Sequence, residues 1–141
     1  MGIVKNLKAL AEIPPQFRSA AVFKTIRQSA EFILRHHLYK RSHNIDSVAK
    51  GEWTRFGFPL MWKTNALEML EILTMLGYHD PRMEEAVDLV ISKQDEQGRW
   101  PLETTFNGRT LVRIEALHKP SKWITLSALR ALKGFYQNDM S

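Results

Sequence analysis

The stretch Ala86-Val-Asp-Leu-Val-Ile-Ser-Lys-Gln94-Asp-Glu-Gln-Gly98-Arg-Trp100 decides how this chain folds. Its first half spaces Ala86, Val87, Val90 and Ile91 three and four apart, the rhythm of a helix with one buried face. Its second half is a polar run that closes on a glycine and a tryptophan. Gln94 ends the helix, where its amide is placed to satisfy leftover carbonyls and to bond into a neighbouring repeat. Gly98 lets the backbone turn with positive φ. Trp100 then folds back over the hairpin, with an indole N–H that needs an acceptor. The stretch predicts a tryptophan staple between helices.

The same pattern occurs earlier. Ala30-Glu-Phe-Ile-Leu-Arg-His-His-Leu38 aligns with Ala86 to Gln94 at an offset of 56 residues. Each copy is followed by a long loop with a tryptophan (Trp53, then Trp100). Each loop leads to a helix whose start is expected to carry another tryptophan, Trp62 or Trp123. The predicted fold is all-α: stacked antiparallel helical hairpins in one domain. Residues 1–14 form an N-terminal helix and linker, 15–78 the first hairpin and 79–141 the second. No strong strand signal is present.

Local chemistry supports these boundaries. Ile3, Leu7 and Leu10 share one side of a first helix that ends before Pro14-Pro15. Phe23, Ile26, Ala30, Ile33, Leu34 and Leu38 give a second, over about 17–39. Trp62 to Leu76 is apolar around much of its circumference, so that helix should be deeply buried, with Gly77 as a left-handed cap. Asp80-Pro81 and Pro120-Ser121 read as the starts of the last two helices. The connections near 41–60 and 95–120 are too long to be idle links.

With 141 residues, 44% hydrophobic and 25% charged, the composition is that of an ordinary globular protein. The absence of cysteine excludes disulfides, thiolate metal sites and cysteine nucleophiles. No signal peptide or membrane span is legible, and a soluble cytoplasmic protein is expected. Residues 1–63 hold eleven Lys/Arg against four Asp/Glu, a balance of +7; residues 64–141 hold nine against eleven, a balance of −2. A basic half can attract anions, but a solvated surface is the simpler account.

Ala86, Leu89, Val90, Gln94, Gly98 and Trp100 resemble the glutamine–tryptophan repeat of squalene and hopene cyclases. The stretch Lys122 to Lys133 resembles the closing helix of prenyltransferase-like and squalene-cyclase-like prokaryotic proteins. The resemblance runs over about residues 25–135, and the second repeat carries it. The first departs from the pattern, with Leu38 where glutamine would stand. It implies an α/α toroid, built in the complete form from about six hairpins, of which this chain supplies two; terminal hairpins of such arrays need a cap or partner. A C-terminal portion of a longer protein, an array that self-associates and a small self-closed domain all fit.

The chemistry of those relatives does not transfer. The Asp-rich proton donor of the cyclases has no counterpart here, and the prenyltransferase zinc site requires a cysteine. The nearest acidic groups, Glu84-Glu85 with Asp88 and Asp95-Glu96, read as solvated surface. His36, His37 and His43 are explained by a cationic helix end; adjacent helical residues point about 100° apart and do not share an ion. No metal or other cofactor is expected. Phosphate loops, nucleophile elbows and HExxH patterns are missing.

The two long loops are the expected place for a site. Trp53, Arg55 and Phe58 come from the first, followed by Trp62; Glu103, Asn107 and Arg109 come from the second, followed by Lys122 and Trp123. Gathered at one end of the array, their aromatic faces would hold an apolar or isoprenoid chain and their cations an anionic group. Alternatively the arginines pair with Glu52, Glu103 and Glu115 and tie the loops down. The expected function is a non-catalytic binding or assembly module with an aromatic-lined concavity. Its partners would be a lipid-like molecule and either a second copy or another chain completing the array. An isoprenoid-processing enzyme using Glu103 and Arg109 is the alternative. Weak nucleic-acid binding through the basic half is a more distant one, since helix-turn-helix spacing is missing.

Overall fold

The computed structural model describes residues 2–41, 44–48, 51–105 and 113–140, with only the backbone given for 44–48. Five helices carry the fold: α1 (Gly2–Ala11), α2 (Ala20–Arg35), α3 (Ala66–Met75), α4 (Glu84–Ser92) and α5 (Lys122–Asp139). The protein is mostly helical, as the spacing predicts, but not purely so. A short antiparallel ladder pairs β1 (Lys40–Arg41) with β2 (Asn44–Val48), and another pairs β3 (Trp100–Pro101) with β4 (Pro120–Ser121). Segments this short leave no alternating pattern to find in a sequence.

Side-chain caps set the helix starts. Ser19 accepts the N–H of Val22, Asn65 that of Glu68 and Ser121 that of Ile124. Asn65 and Ser121 are 56 residues apart, so the repeat read from the outer sequence pattern also fixes where α3 and α5 begin. This corrects one expectation. Helix α3 starts at Ala66, and Trp62 lies in the turn before it, 61% exposed. The residue equivalent to Trp123 is Leu67. Helix α3 ends as expected, with Gly77 at φ +93, its N–H bonded to Thr74 O and the Tyr78 N–H to Leu73 O.

Helix α3 is the centre of the molecule. It packs against α1 on one hand, α5 on the other and α4 behind, while α1 also lies along α2. Ala66 to Thr74 are buried all the way round, Glu71 alone excepted. Val4 and Leu7 of α1 enter the same core, so the first helix is an integral part of the packing. On α5 the buried stripe is Ile124, Ala128, Ala131 and Phe135. Its small residues admit α3 closely, and the side chain of Asn138 donates to the Thr74 and Tyr78 carbonyls at the end of α3.

The two long loops meet. The Phe56 carbonyl accepts the N–H groups of Glu103 (2.8 Å) and Thr104 (3.4 Å), and Gly57 bridges to Thr104. A Cβ on Gly57 would fall 2.0 Å from Thr104 Oγ1, so only glycine permits this contact. Outside the core, Arg82 joins Glu31 of α2 to Asp80, and Glu85 of α4 accepts from His37 and Lys40. Glu85 is therefore not idle solvated surface: it ties the end of α2 to α4.

Candidate functional site

A groove of about 440 Å³ runs across the face shared by α1, α3 and α5, floored by the connector that leads into α3. Helical spacing sets its polar edge. Lys5 and Lys8 are three apart on α1, and Glu68 and Glu71 three apart on α3. Glu68 is 5% exposed, with Lys5 Nζ at 2.9 and 3.0 Å from its two oxygens and Lys8 Nζ at 3.3 Å. A charge this deep persists only when paired. Burial pushes the Glu71 carboxyl above the ordinary carboxylate range, against a hydrogen bond from Ser127 and the nearby charges of Arg130 and Lys8.

The opposite wall is apolar. Phe58 stacks on Trp123 with centroids 5.0 Å apart and planes 13° apart, and Lys122 Nζ lies 5.5 Å over the indole. Leu60, Met61 and Leu126 extend this wall, with Ile72 and Met75 along α3. Such a groove suits a molecule with a long apolar body and one polar group.

The residues expected to form the site divide sharply. Phe58, Trp123 and Lys122 come together as anticipated. Trp62 points elsewhere: its neighbour Met61 lines the groove and it does not. Trp53, in the turn Gly51–Thr54, is half-buried against the core, and Arg55 is exposed. Glu103 is a tether. One of its oxygens accepts the Phe56 N–H at 3.0 Å and the other Lys93 Nζ at 2.8 Å, so its cation is a lysine and not the expected arginine. Asn107 and Arg109, together with His43, lie outside the described residues.

Of the structural motif, Trp100 is fully buried and its Nε1 donates to Val90 O at 2.7 Å, closing the last turn of α4. Its backbone N–H donates to Thr125 Oγ1 at 3.0 Å, so the same residue holds the start of α5. Gly98 has φ +78. Gln94 is exposed, its amide beside Gly98 rather than in a neighbouring repeat. His36 Nδ1 lies 3.0 Å from the Lys40 carbonyl and His37 Nδ1 3.1 Å from Glu85, and no group of three or more metal-ligating side chains occurs among the described residues.

Sequence reasoning missed the polar edge of the groove. The signal was present: Glu68 and Glu71 interrupt the otherwise apolar run Ala66-Leu-Glu-Met-Leu-Glu-Ile-Leu-Thr-Met75. A carboxylate on a helix buried all round needs a partner or an opening, and α1 supplies the former.

No protein family matches the chain, and no curated protein or solved structure is found similar to it. The likeness to cyclase repeats rests on the motif residues alone. No helix among the described residues is long and apolar enough to cross a membrane.

Proposed function

We propose that this chain is a non-catalytic binding module, a partial α/α toroid of the squalene-cyclase-like kind whose concave face takes a lipid-like ligand. The observation that carries this reading is the groove itself, with the stacked Phe58–Trp123 pair facing the Glu68–Lys5 and Glu71–Arg130 edge. Its volume of about 440 Å³ lies within the roughly 300–1,000 Å³ of small-molecule sites. The repeat at 56 residues, and α1, α3 and α5 side by side along the groove, support the toroid arrangement.

Isothermal titration with farnesol and with palmitate tests the reading. At least one of them should bind, and Trp123→Ala should weaken it by about tenfold, the worth of one aromatic contact. Trp62→Ala should leave binding unchanged. Failure of both probes to bind, or equal affinity in the Trp123→Ala protein, would overturn it.

Glu71 favours a second reading, in which the groove belongs to an isoprenoid-processing enzyme. A carboxyl whose proton affinity is raised by burial beside an apolar wall is suited to donate a proton. Turnover of a bound isoprenoid that disappears in Glu71→Gln while binding persists would select this reading over the first.

A further inference from the structure

Helices α3 and α5 are equivalent elements of one repeat, and only α3 is enclosed. At the offset of 56 set by their caps, Leu70 and Leu73 of α3 correspond to Leu126 and Leu129 of α5. The first pair is 0% exposed; the second is 42% and 50% exposed. Tyr136 (53%) and Met140 (87%) continue the open stripe, since 126, 129, 136 and 140 fall on one helical face. Each earlier helix of the groove also has a successor packed on it, α2 on α1 and α4 on α3. Helix α5 has none among the described residues.

We infer that this face of α5 docks the same face of a second copy, the two helices running antiparallel about a two-fold axis. The arrangement is self-complementary. A register centred on Ala131 sets Leu126 against Tyr136 of the other copy and Leu129 against its Lys133, whose aliphatic stem covers the leucine. The same register sets Lys122, at the N-terminus of α5, opposite Met140 of the other copy, one position from Asp139 at the C-terminus of that helix and within reach of the long lysine side chain. Asp139 meets His79 at 3.4 Å but keeps most of its surface open. Antiparallel helix dipoles add to this match.

Helix α5 has 18 residues and is about 27 Å long. A pair of such helices buries less than the roughly 1,200 Å² of a stable interface, so the dimer is a reversible one. Trp123 and Leu126 belong to the groove wall as well, so the second copy would stand at the groove's open side. The inference does not depend on which ligand the groove takes.

Sedimentation equilibrium of the full chain over a dilution series tests it. The protein should pass from monomer to dimer as concentration rises. Leu129→Glu, at a half-exposed position, should remain monomeric at every concentration and melt where the dilute, monomeric parent does. Tyr136→Lys is a second variant on the same face with the same expected outcome. Lys122→Glu should weaken the dimer severalfold, and adding Asp139→Lys should restore it. Ile91→Glu, an exposed site on α4, should dimerise as the parent does. A parent that stays monomeric throughout overturns the inference. So does a dimer that tolerates both Leu129→Glu and Tyr136→Lys, since another surface or another segment would then be responsible.

Discussion

Helices α2 and α4 hold the same place in the two repeats, yet they are closed by different means. At the end of α2 the chain reverses through His37 (φ +44) and Leu38 (φ +67), and Leu38 itself, 1% exposed, plugs the core. At the end of α4 the equivalent residue, Gln94, stays in solvent. The chain continues through a turn in which Asp95 accepts the N–H groups of Gln97 and Arg99, passes Gly98 and delivers Trp100. A local leucine does in one repeat what a tryptophan six residues downstream does in the other. Both helix ends are closed by a fully buried apolar side chain, delivered from a different sequence position in each repeat.

The sharpest way to break this comparison is to empty the place that Trp100 fills and to set the loss against that of the first repeat's loop tryptophan. Trp100→Ala should cost about 3–5 kcal/mol in urea unfolding, the usual loss for a buried aromatic, because the indole fills volume and also satisfies the Val90 carbonyl. Trp53→Ala should cost distinctly less, since Trp53 is half-buried and stands at no equivalent position. Equal losses would remove the special place given to Trp100.

Most of the fold is legible in the sequence for the same reason that Trp100 is. Periodic apolar positions, Asn65, Ser121 and Gly77 are local signals, and local signals survive in a one-dimensional string. The two short ladders and the docking of Gly57 on Thr104 are not local, and nothing near either residue announces them. The candidate site divides along the same line. Phe58 and Trp123 stand out by residue type, whereas Lys5 and Lys8 matter only because Glu68, sixty residues away or more, lies beneath them. Glu103 misleads because a loop carboxylate offers itself as chemistry until both of its oxygens are found occupied.

The charged links between α2 and α4 sharpen the comparison at lower cost. The Arg82 guanidinium, hydrogen-bonded to both carboxylates, holds Glu31 and Asp80 below the usual range. Glu85 is also lowered, its burial outweighed by Lys40 and His37. A depressed carboxylate contributes stability at pH above its unfolded pKa and loses it as pH falls through the folded one. The protein should therefore lose stability on acidification from about pH 5 downward. Arg82→Met should be less stable at neutral pH and depend less on pH in that window, so the two melting curves converge in acid. Parallel curves with a constant gap would show that Arg82 acts through packing alone.

The smallest expected effect bears on the backbone of the two turns. His37 has a left-handed φ where helices usually place glycine, and its neighbouring N–H bonds, Leu38 to Ile33 O and His37 to Leu34 O, require that conformation. The strain of a side chain there, roughly 1 kcal/mol, is offset by the imidazole contact with Glu85. His37→Gly relieves the strain and loses the contact, so its net change should lie within about 0.5 kcal/mol of zero. His37→Ala loses the contact and keeps the strain, and should be less stable than the glycine variant by about 1 kcal/mol. Gly98→Ala, at φ +78, imposes the same strain on the second repeat with nothing in return, and its Cβ would stand 3.3 Å from Gln94 Nε2. Its loss should match the difference between the two His37 variants. A His37→Ala protein as stable as His37→Gly would mean that the first turn is unstrained, and the two helix ends would then differ only in what fills the space beneath them.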